Sequence, residues 1–223
     1  LFRFEVAMAI GLLSLVWLLL AGFDPAMLAR KFYAGLDNFV LLAVPFFIMI
    51  GEILNKAGMT QRIFNFADVL SGRMRGGLAH ANVIASLIFG GIQGAAMADV
   101  ATLGTIFIPS MKKKGYPGAF AAAITATSSL VAPLIPPSIM IVIFGAVTGV
   151  SIGGLLAAAI VPGLMIGFTD MIIVHVMAEK RNFPIGHEDR TLGDVLTALK
   201  DALAAFGAPA IILLGLTMGI VTP

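Results

Sequence analysis

Leu78 to Met111 reads LAHANVIASLIFGGIQGAAMADVATLGTIFIPSM, and the length of this apolar stretch decides how the chain is arranged. As helices at 1.5 Å per residue, Leu78 to Ile92 and Ala96 to Met111 would each be about 22 to 24 Å long. A bilayer core is about 30 Å thick, so neither half crosses alone. Arg73 and Arg75 precede the stretch and Lys112, Lys113 and Lys114 follow it. Basic residues are retained on the cytoplasmic side, so both ends are expected on one face, with a turn at Gln93-Gly94-Ala95. Irregular backbone at membrane depth is tolerated where it is buried in protein or lines a wet cavity. A re-entrant hairpin of this kind therefore points to a transport site.

Composition agrees with a membrane setting. The chain is 59% hydrophobic and 12% charged, with a mean hydropathy of +1.02, far from the usual soluble balance. The absence of cysteine removes disulfides, thiolate metal sites and cysteine nucleophiles. The net charge of +2 comes from basic clusters beside apolar segments, which suits control of topology rather than nucleic-acid binding. Leu1 is no initiator methionine, and the chain stops in an apolar run before Thr222-Pro223, so the sequence reads as a piece of a longer chain.

The fold class expected is an all-α membrane protein: a multi-span bundle with a re-entrant hairpin and a discontinuous transmembrane helix. Residues 1–72 are expected to hold scaffold spans (Val6 to Phe23, Phe39 to Leu54) and interfacial helices (Leu28 to Asn38, Gln61 to Leu70), the last lying on the membrane. Residues 73–150 form a transport-type unit, with the hairpin at 78–111 and a broken span at 118–149. That break is Ala132-Pro133-Leu134-Ile135-Pro136-Pro137-Ser138, where three prolines remove helix donors and clash with preceding turns. Residues 151–223 then supply a span at Gly154 to Met177, a polar loop at Asn182 to Thr191, an amphipathic helix at Leu192 to Ala205, and a further span beginning near Gly207. Lys180 and Arg181 fall on the same side as the other basic clusters; Arg30 and Lys31 fall opposite, offset by Asp24 and Asp37.

Each helix break exposes carbonyls at one helix end and amides at the next helix start. The carbonyl end attracts cations and the amide end attracts anions. Carbonyls near Gly91 to Gly94 and Ser128 to Val131 are thus candidate Na⁺ ligands. Amides near Ala95, Ala96 and Met97 and near Ser138, Ile139 and Met140 are candidates to face a carboxylate, with Pro137 beside them in the same substrate site, as in discontinuous-helix transporters. Asp99 either complements the helix N-terminus or sits beside the ion. Ser128 and Ser129 either bond their own i−4 carbonyls or ligate the cation, and Thr125 and Thr127 are weaker candidates. Glu52 reads as an interface anchor, and Asp170 and His175 as packing or partner-facing groups rather than a proton relay. His80 and His187 carry little signal, and no zinc site is expected.

At these residues the chain resembles the large membrane subunit of the tripartite ATP-independent periplasmic (TRAP) transporters, within the ion transporter superfamily. The likeness runs through Gly35-Leu36-Asp37-Asn38-Phe39, Ala43-Val44-Pro45-Phe46-Phe47, Gly51-Glu52, Arg75-Gly76-Gly77-Leu78-Ala79, Ala98-Asp99, Ile108-Pro109-Ser110-Met111, Lys114-Gly115-Tyr116, Ile135-Pro136-Pro137-Ser138-Ile139, Ser151-Ile152 and Val161-Pro162-Gly163-Leu164. The resemblance implies an elevator fold of two inverted repeats, of which this chain would carry the first and the start of the second. It also implies a bacterial inner-membrane location, a small four-helix membrane subunit, a periplasmic substrate-binding protein, and Na⁺-coupled import of an organic anion. Sialic acid, C4-dicarboxylates and 2-oxo acids all fit. No organic cofactor and no nucleic acid is implied. By resemblance Na⁺ would lie among Gln93, Gly94, Ala95, Asp99, Ser128, Ser129 and Pro133. The family commonly carries Ser-Gly-Ser-Ser at the tip; here the tip is Gln93-Gly94-Ala95-Ala96, so carbonyls or the Gln93 amide oxygen would serve instead. The competing readings are an intramembrane hydrolase using Asp99 or a Ser128/His80 pair, which needs a base within reach, and a non-transporting scaffold subunit.

Overall fold

The computed structural model describes residues 5–37, 39–185 and 192–217, with the backbone alone at 39–40, 93, 192, 204–206, 208–210, 212–213 and 216–217. The described residues are helical, without a named strand; an isolated bridge joins Arg75 and Ile185. In chain order the helices are α1 (Val6–Leu20), α2 (Ala26–Leu36), α3 (Ala43–Lys56), α4 (Met59–Ser71), α5 (Gly77–Gln93), α6 (Ala96–Lys113), α7 (Gly118–Ser128), α8 (Ile139–Thr148), α9 (Ile152–Lys180) and α10 (Leu192–Thr217). The protein is an all-α membrane protein. Its 29-residue α9 is long and apolar enough to cross a bilayer, while α1, α5, α7 and α8 are apolar but shorter. α1 buries only Leu18, so most of its apolar side chains face outward; Val6 is 75% and Leu13 69% exposed. Water would penalise such a face, whereas lipid would not.

The core forms where α5 is surrounded. It packs against α4, α6, α7, α9 and α10, and its side chains Leu78, Ala79, Ala81, Val83, Ala85 and Phe89 are buried. α6 shows why its sequence is amphipathic: Leu103, Gly104, Phe107 and Met111 are buried at helical spacing. Glycines on α9 allow close approach. A Cβ at Gly167 would lie 2.9 Å from Leu87 Cδ2, and one at Gly163 would lie 3.0 Å from Ile135 Cδ1. Small residues four apart let helices meet in this way, and here they seat α9 against both the hairpin and the break.

The three basic turns gather at one end of the bundle. Arg75 donates to Asn182 Oδ1 at 3.0 Å, and the Gly76 amide donates to the Pro184 carbonyl at 3.2 Å. Phe183 sits between Tyr116 and Phe120, with ring centroids 4.8 Å from each. This aromatic knot joins the segments after Lys114 and after Arg181, and the two hydrogen bonds tie the segment after Arg73 to them. Burial there pushes the Tyr116 phenol up to about 12.

Three features differ from the sequence expectation. The apolar face of α4, expected on the membrane surface, is covered by protein: Ile63 and Ala67 are fully buried in the core, and the Phe64 ring packs tilted against Phe107 with centroids 4.8 Å apart. An amphipathic pattern identifies the buried stripe but not its partner. The amphipathic helix expected over Leu192 to Ala205 and the span expected from near Gly207 are one continuous helix, since α10 runs through Gly207 and Pro209 to Thr217. A proline costs a helix one donor and about 3 kcal/mol, which the packing of α10 on α4, α5 and α9 offsets. The loop from Asn182, read as polar, carries the buried Phe183 at its second position; its residues 186–191 lie outside the described segments.

Candidate functional site

At the end opposite the aromatic knot, the hairpin turns in two residues. Gly94 closes α5 with φ +58°, its amide donating to the Gly90 carbonyl at 2.9 Å. This left-handed cap is readily adopted only by glycine. Ala95 then takes an extended conformation and α6 begins at Ala96 without a side-chain cap. Hairpin and break are in contact here. A Cβ at Gly94 would collide with the Pro137 carbonyl oxygen and lie 3.1 Å from Ser138 Cα and 3.2 Å from the Ile139 nitrogen. A Cβ at Gly90 would lie 2.7 Å from Ala132 Cα.

The facing break has its own order. α7 tightens into a 3₁₀ turn at Ser129–Val131, and the backbone then runs irregularly to Ser138, with a cis bond between Pro136 and Pro137. Ser138 is the N-cap of α8: its Oγ accepts from the Ile141 amide at 3.3 Å and donates to the Pro133 carbonyl at 2.6 Å. The starts of α6 and α8 therefore converge at Gly94, and both present amides that favour an anion. Met97 and Met140, on the first turns of these helices, are 83% and 64% exposed.

Beneath this junction lies a polar cluster inside an otherwise apolar core. Asn82 and Ser86 of α5, Asp99 of α6, and Thr125, Ser128 and Ser129 of the α7 end are each fully buried. Asn82 Nδ2 donates to Thr125 Oγ1 at 2.7 Å, and that hydroxyl donates to the Ala121 carbonyl at 2.8 Å. Ser86 and Ser128 hydroxyls meet at 3.1 Å; Ser128 and Ser129 also donate to the Thr125 carbonyl at 3.3 and 2.7 Å. Ser129 and Ser86 lie beside the Asp99 carboxylate, yet neither reaches hydrogen-bond geometry. Asp99 Oδ1 and Oδ2 and Asn82 Oδ1 are left without a partner. Buried oxygens of this kind are expensive to strand, and oxygen ligands are of the type that suits hard cations.

The structure brings Gly94, Ala95, Ala96, Pro137, Ser138 and Ile139 to the tip-to-break junction, with Met97 at its outer edge. Asp99, Ser128 and Ser129 lie together in the buried cluster below. The Pro133 carbonyl receives the Ser138 hydroxyl. Gln93 ends α5, and its side chain lies outside the described residues. Sequence reasoning passed over Asn82 and Ser86; two polar residues four apart on an apolar helix were the available signal. Elsewhere, Asp170 of α9 faces the Thr127 hydroxyl with Oδ2 unpartnered. His80 Nδ1 lies 3.1 Å from the Gly76 carbonyl and its ring meets His175 edge-on, at the basic end. His80 is thus remote from Ser128, whose hydroxyl is engaged by Ser86 and the Thr125 carbonyl. Among the described residues no group of three His, Cys, Asp or Glu side chains is placed to hold a metal.

A helical hairpin docked by its glycine tip into a proline-broken helix, in a bundle with an outward apolar surface, defines a class of membrane protein built around paired helix breaks. The whole chain, residues 1–223, matches the family described as the tripartite ATP-independent periplasmic transporter, DctM component, and the chain belongs to that family. It is 40% identical over 195 residues to the sialic acid TRAP transporter large permease protein SiaM of Vibrio cholerae, covering 87% of this chain and 45% of that protein. It is 36% identical over 201 residues to the 2,3-diketo-L-gulonate TRAP transporter large permease protein YiaN of Escherichia coli, covering 90% and 47%. It is also 36% identical over 196 residues to the C4-dicarboxylate TRAP transporter large permease protein DctM of Pseudomonas aeruginosa, covering 88% and 46%. The chain thus spans about half the length of these relatives, which are named as transporter permeases and not as enzymes.

Proposed function

We propose that this chain supplies the hairpin and broken-span repeat of a large permease subunit that imports an organic anion by Na⁺-coupled secondary transport in the bacterial inner membrane. The observation that carries the proposal is the junction of Gly94 with Pro137 to Ile139, which sets two helix N-termini side by side above a buried oxygen cluster. Amides at Ala95 to Met97 and Ser138 to Met140 would orient the carboxylate of the solute. Carbonyls from Gln93 to Ala95 and at Pro133, with Asp99, Ser128 and Ser129, would hold Na⁺, which supplies compensating positive charge beside the anion. The relatives' names favour sialic acid, 2,3-diketo-L-gulonate or a C4-dicarboxylate as the solute class.

In this proposal the gathered basic turns mark the cytoplasmic end, and residues 73–150 are the unit that moves relative to the flanking helices as an elevator. A small four-helix membrane subunit and a periplasmic substrate-binding protein complete the system. The test is uptake into proteoliposomes by the full-length permease with its membrane partner and the loaded binding protein. An inward Na⁺ gradient is expected to drive accumulation of labelled anion. Equal uptake with choline in place of Na⁺ would overturn the coupling.

A further inference from the structure

α9 carries more apolar surface than the bundle covers. One side of this 29-residue helix packs against α5, α7, α8 and α10. On the other side Leu164, Met165, Phe168, Ile172 and Val176 are between 42% and 68% exposed. At the close approach of Gly167 to Leu87 this face holds a groove of about 460 Å³, lined by Leu87, Val161, Leu164, Met165, Phe168 and Met171. The described lining is apolar throughout, so it offers no side-chain hydrogen bond to orient a polar solute. Its height along the helix is informative. Phe168 is twelve residues from Lys180, about 18 Å along the axis, and the hydrocarbon core of one leaflet is half of about 30 Å. With Lys180 at the headgroup layer, the groove lies near the bilayer midplane, where acyl chains end.

Phe168, Ile172, Val176 and Lys180 follow at four-residue steps, a single ridge leading from the groove to the basic end. There Lys180 and Arg181 close α9, and Arg75 donates to Asn182 just beyond. Glu179, the carboxylate of that turn, lies 3.8 Å from His175 Nε2, so positive charge is in excess. We propose that this face binds an anionic phospholipid, with its phosphate at Lys180 and Arg181 and the end of one acyl chain in the groove beside Gly167. Basic side chains at a membrane surface attract acidic headgroups, and the groove gives one chain closer packing than fluid lipid does. Because α5 is one arm of the hairpin, a chain seated there lies against the contact between hairpin and α9. The inference needs the membrane setting and the basic end, and is independent of Na⁺ coupling and of the solute.

The experiment uses the full-length permease in nanodiscs doped with a phosphatidylglycerol or a phosphatidylcholine, each carrying a photoreactive group at the end of one acyl chain. Labelled residues are mapped by mass spectrometry. At equal mole fraction, phosphatidylglycerol is expected to label Leu87 and the segment from Val161 to Met171 more heavily. Each cation beside an acidic headgroup is worth about fivefold in binding, so the preference should be roughly 5- to 25-fold. The double variant Lys180→Gln, Arg181→Gln should lose at least about fivefold of it. Its unfolding midpoint in detergent should stay at the natural value, since both residues are exposed. Equal labelling by the two probes in the natural protein would mean ordinary solvating lipid and overturn the site, as would a preference unchanged by the double substitution. No label at this face from either probe would mean that another part of the permease or a partner subunit covers it, and would overturn the site equally.

Discussion

Replacing Gly94 by alanine in the full-length permease should separate the strain of a left-handed residue from the contact between tip and break. At φ +58° a Cβ costs about 1–2 kcal/mol. It must also enter space held by the Pro137 carbonyl, Ser138 Cα and the Ile139 nitrogen. These are backbone atoms that no rotamer change can move aside, so overpacking of about 1–3 kcal/mol is added. Gly149 is the matched control: its φ is +73° and nothing lies within 4 Å of a Cβ there. Gly149→Ala therefore carries the first cost without the second. The difference of about 1–3 kcal/mol corresponds to roughly a 5- to 150-fold fall in the docked population of the tip. The assay is the initial rate of anion uptake in proteoliposomes at matched protein content, with thermal unfolding in detergent alongside. Gly94→Ala should lose uptake by about that factor while Gly149→Ala stays near the natural rate. Equal effects from the two substitutions would refute the idea that tip-to-break contact matters for function.

Other substitutions probe different links. Ser138→Ala removes the α8 cap and the bond to the Pro133 carbonyl; it should lower stability by about 1–2 kcal/mol, read by denaturant or thermal unfolding. Phe183→Ala empties the space between Tyr116 and Phe120 and should cost about 3–5 kcal/mol, while leaving the Na⁺ concentration for half-maximal uptake unchanged because it acts at the far end. Tyr116 has its folded pKa raised from 10 to about 12, so its contribution is intact below pH 10 and is lost as pH rises through 12. Tyr116→Phe should abolish that part of the alkaline decline in unfolding midpoint.

The hairpin was legible in the sequence because its evidence was local: an apolar run of the wrong length, basic residues at both ends, and Gly94 between two helical halves. The proline break was legible for the same reason, since Pro133, Pro136 and Pro137 cannot continue a helix. What escaped were the consequences of distant contacts. The stripe of α4 at Ile63 and Ala67 is the same whether lipid or α5 covers it, and sequence spacing does not distinguish the two. Gly207 and Pro209 carry a strong local stop signal that the packing of α10 overrides. Asn82 and Ser86 were visible as polar residues on an apolar helix, but their meaning depends on α6 and α7 placing Asp99, Thr125 and Ser128 against them. The chemistry of the cluster therefore arises at the level of packing.

The two ends of the hairpin are held by different kinds of interaction, and that difference bears on how such a site can operate. At the base, Tyr116, Phe120 and Phe183 interlock as large buried rings, and Arg75 and Gly76 bond to the segment after α9. At the tip, contact is made by Gly90 and Gly94, which carry no side chain, against the backbone of Ala132 and Pro137 to Ile139. Free energy from burial scales with area, so the base resists separation more strongly than the tip. Regions with few buried apolar contacts are also those that open at least cost. A cation held by the oxygens of α5, α6 and the end of α7 would tie the hairpin to the broken helix just below that weaker contact. It would thus add attachment where packing supplies least, which is the arrangement needed if cation occupancy is to decide whether the tip is docked and the paired helix N-termini are assembled for the anion.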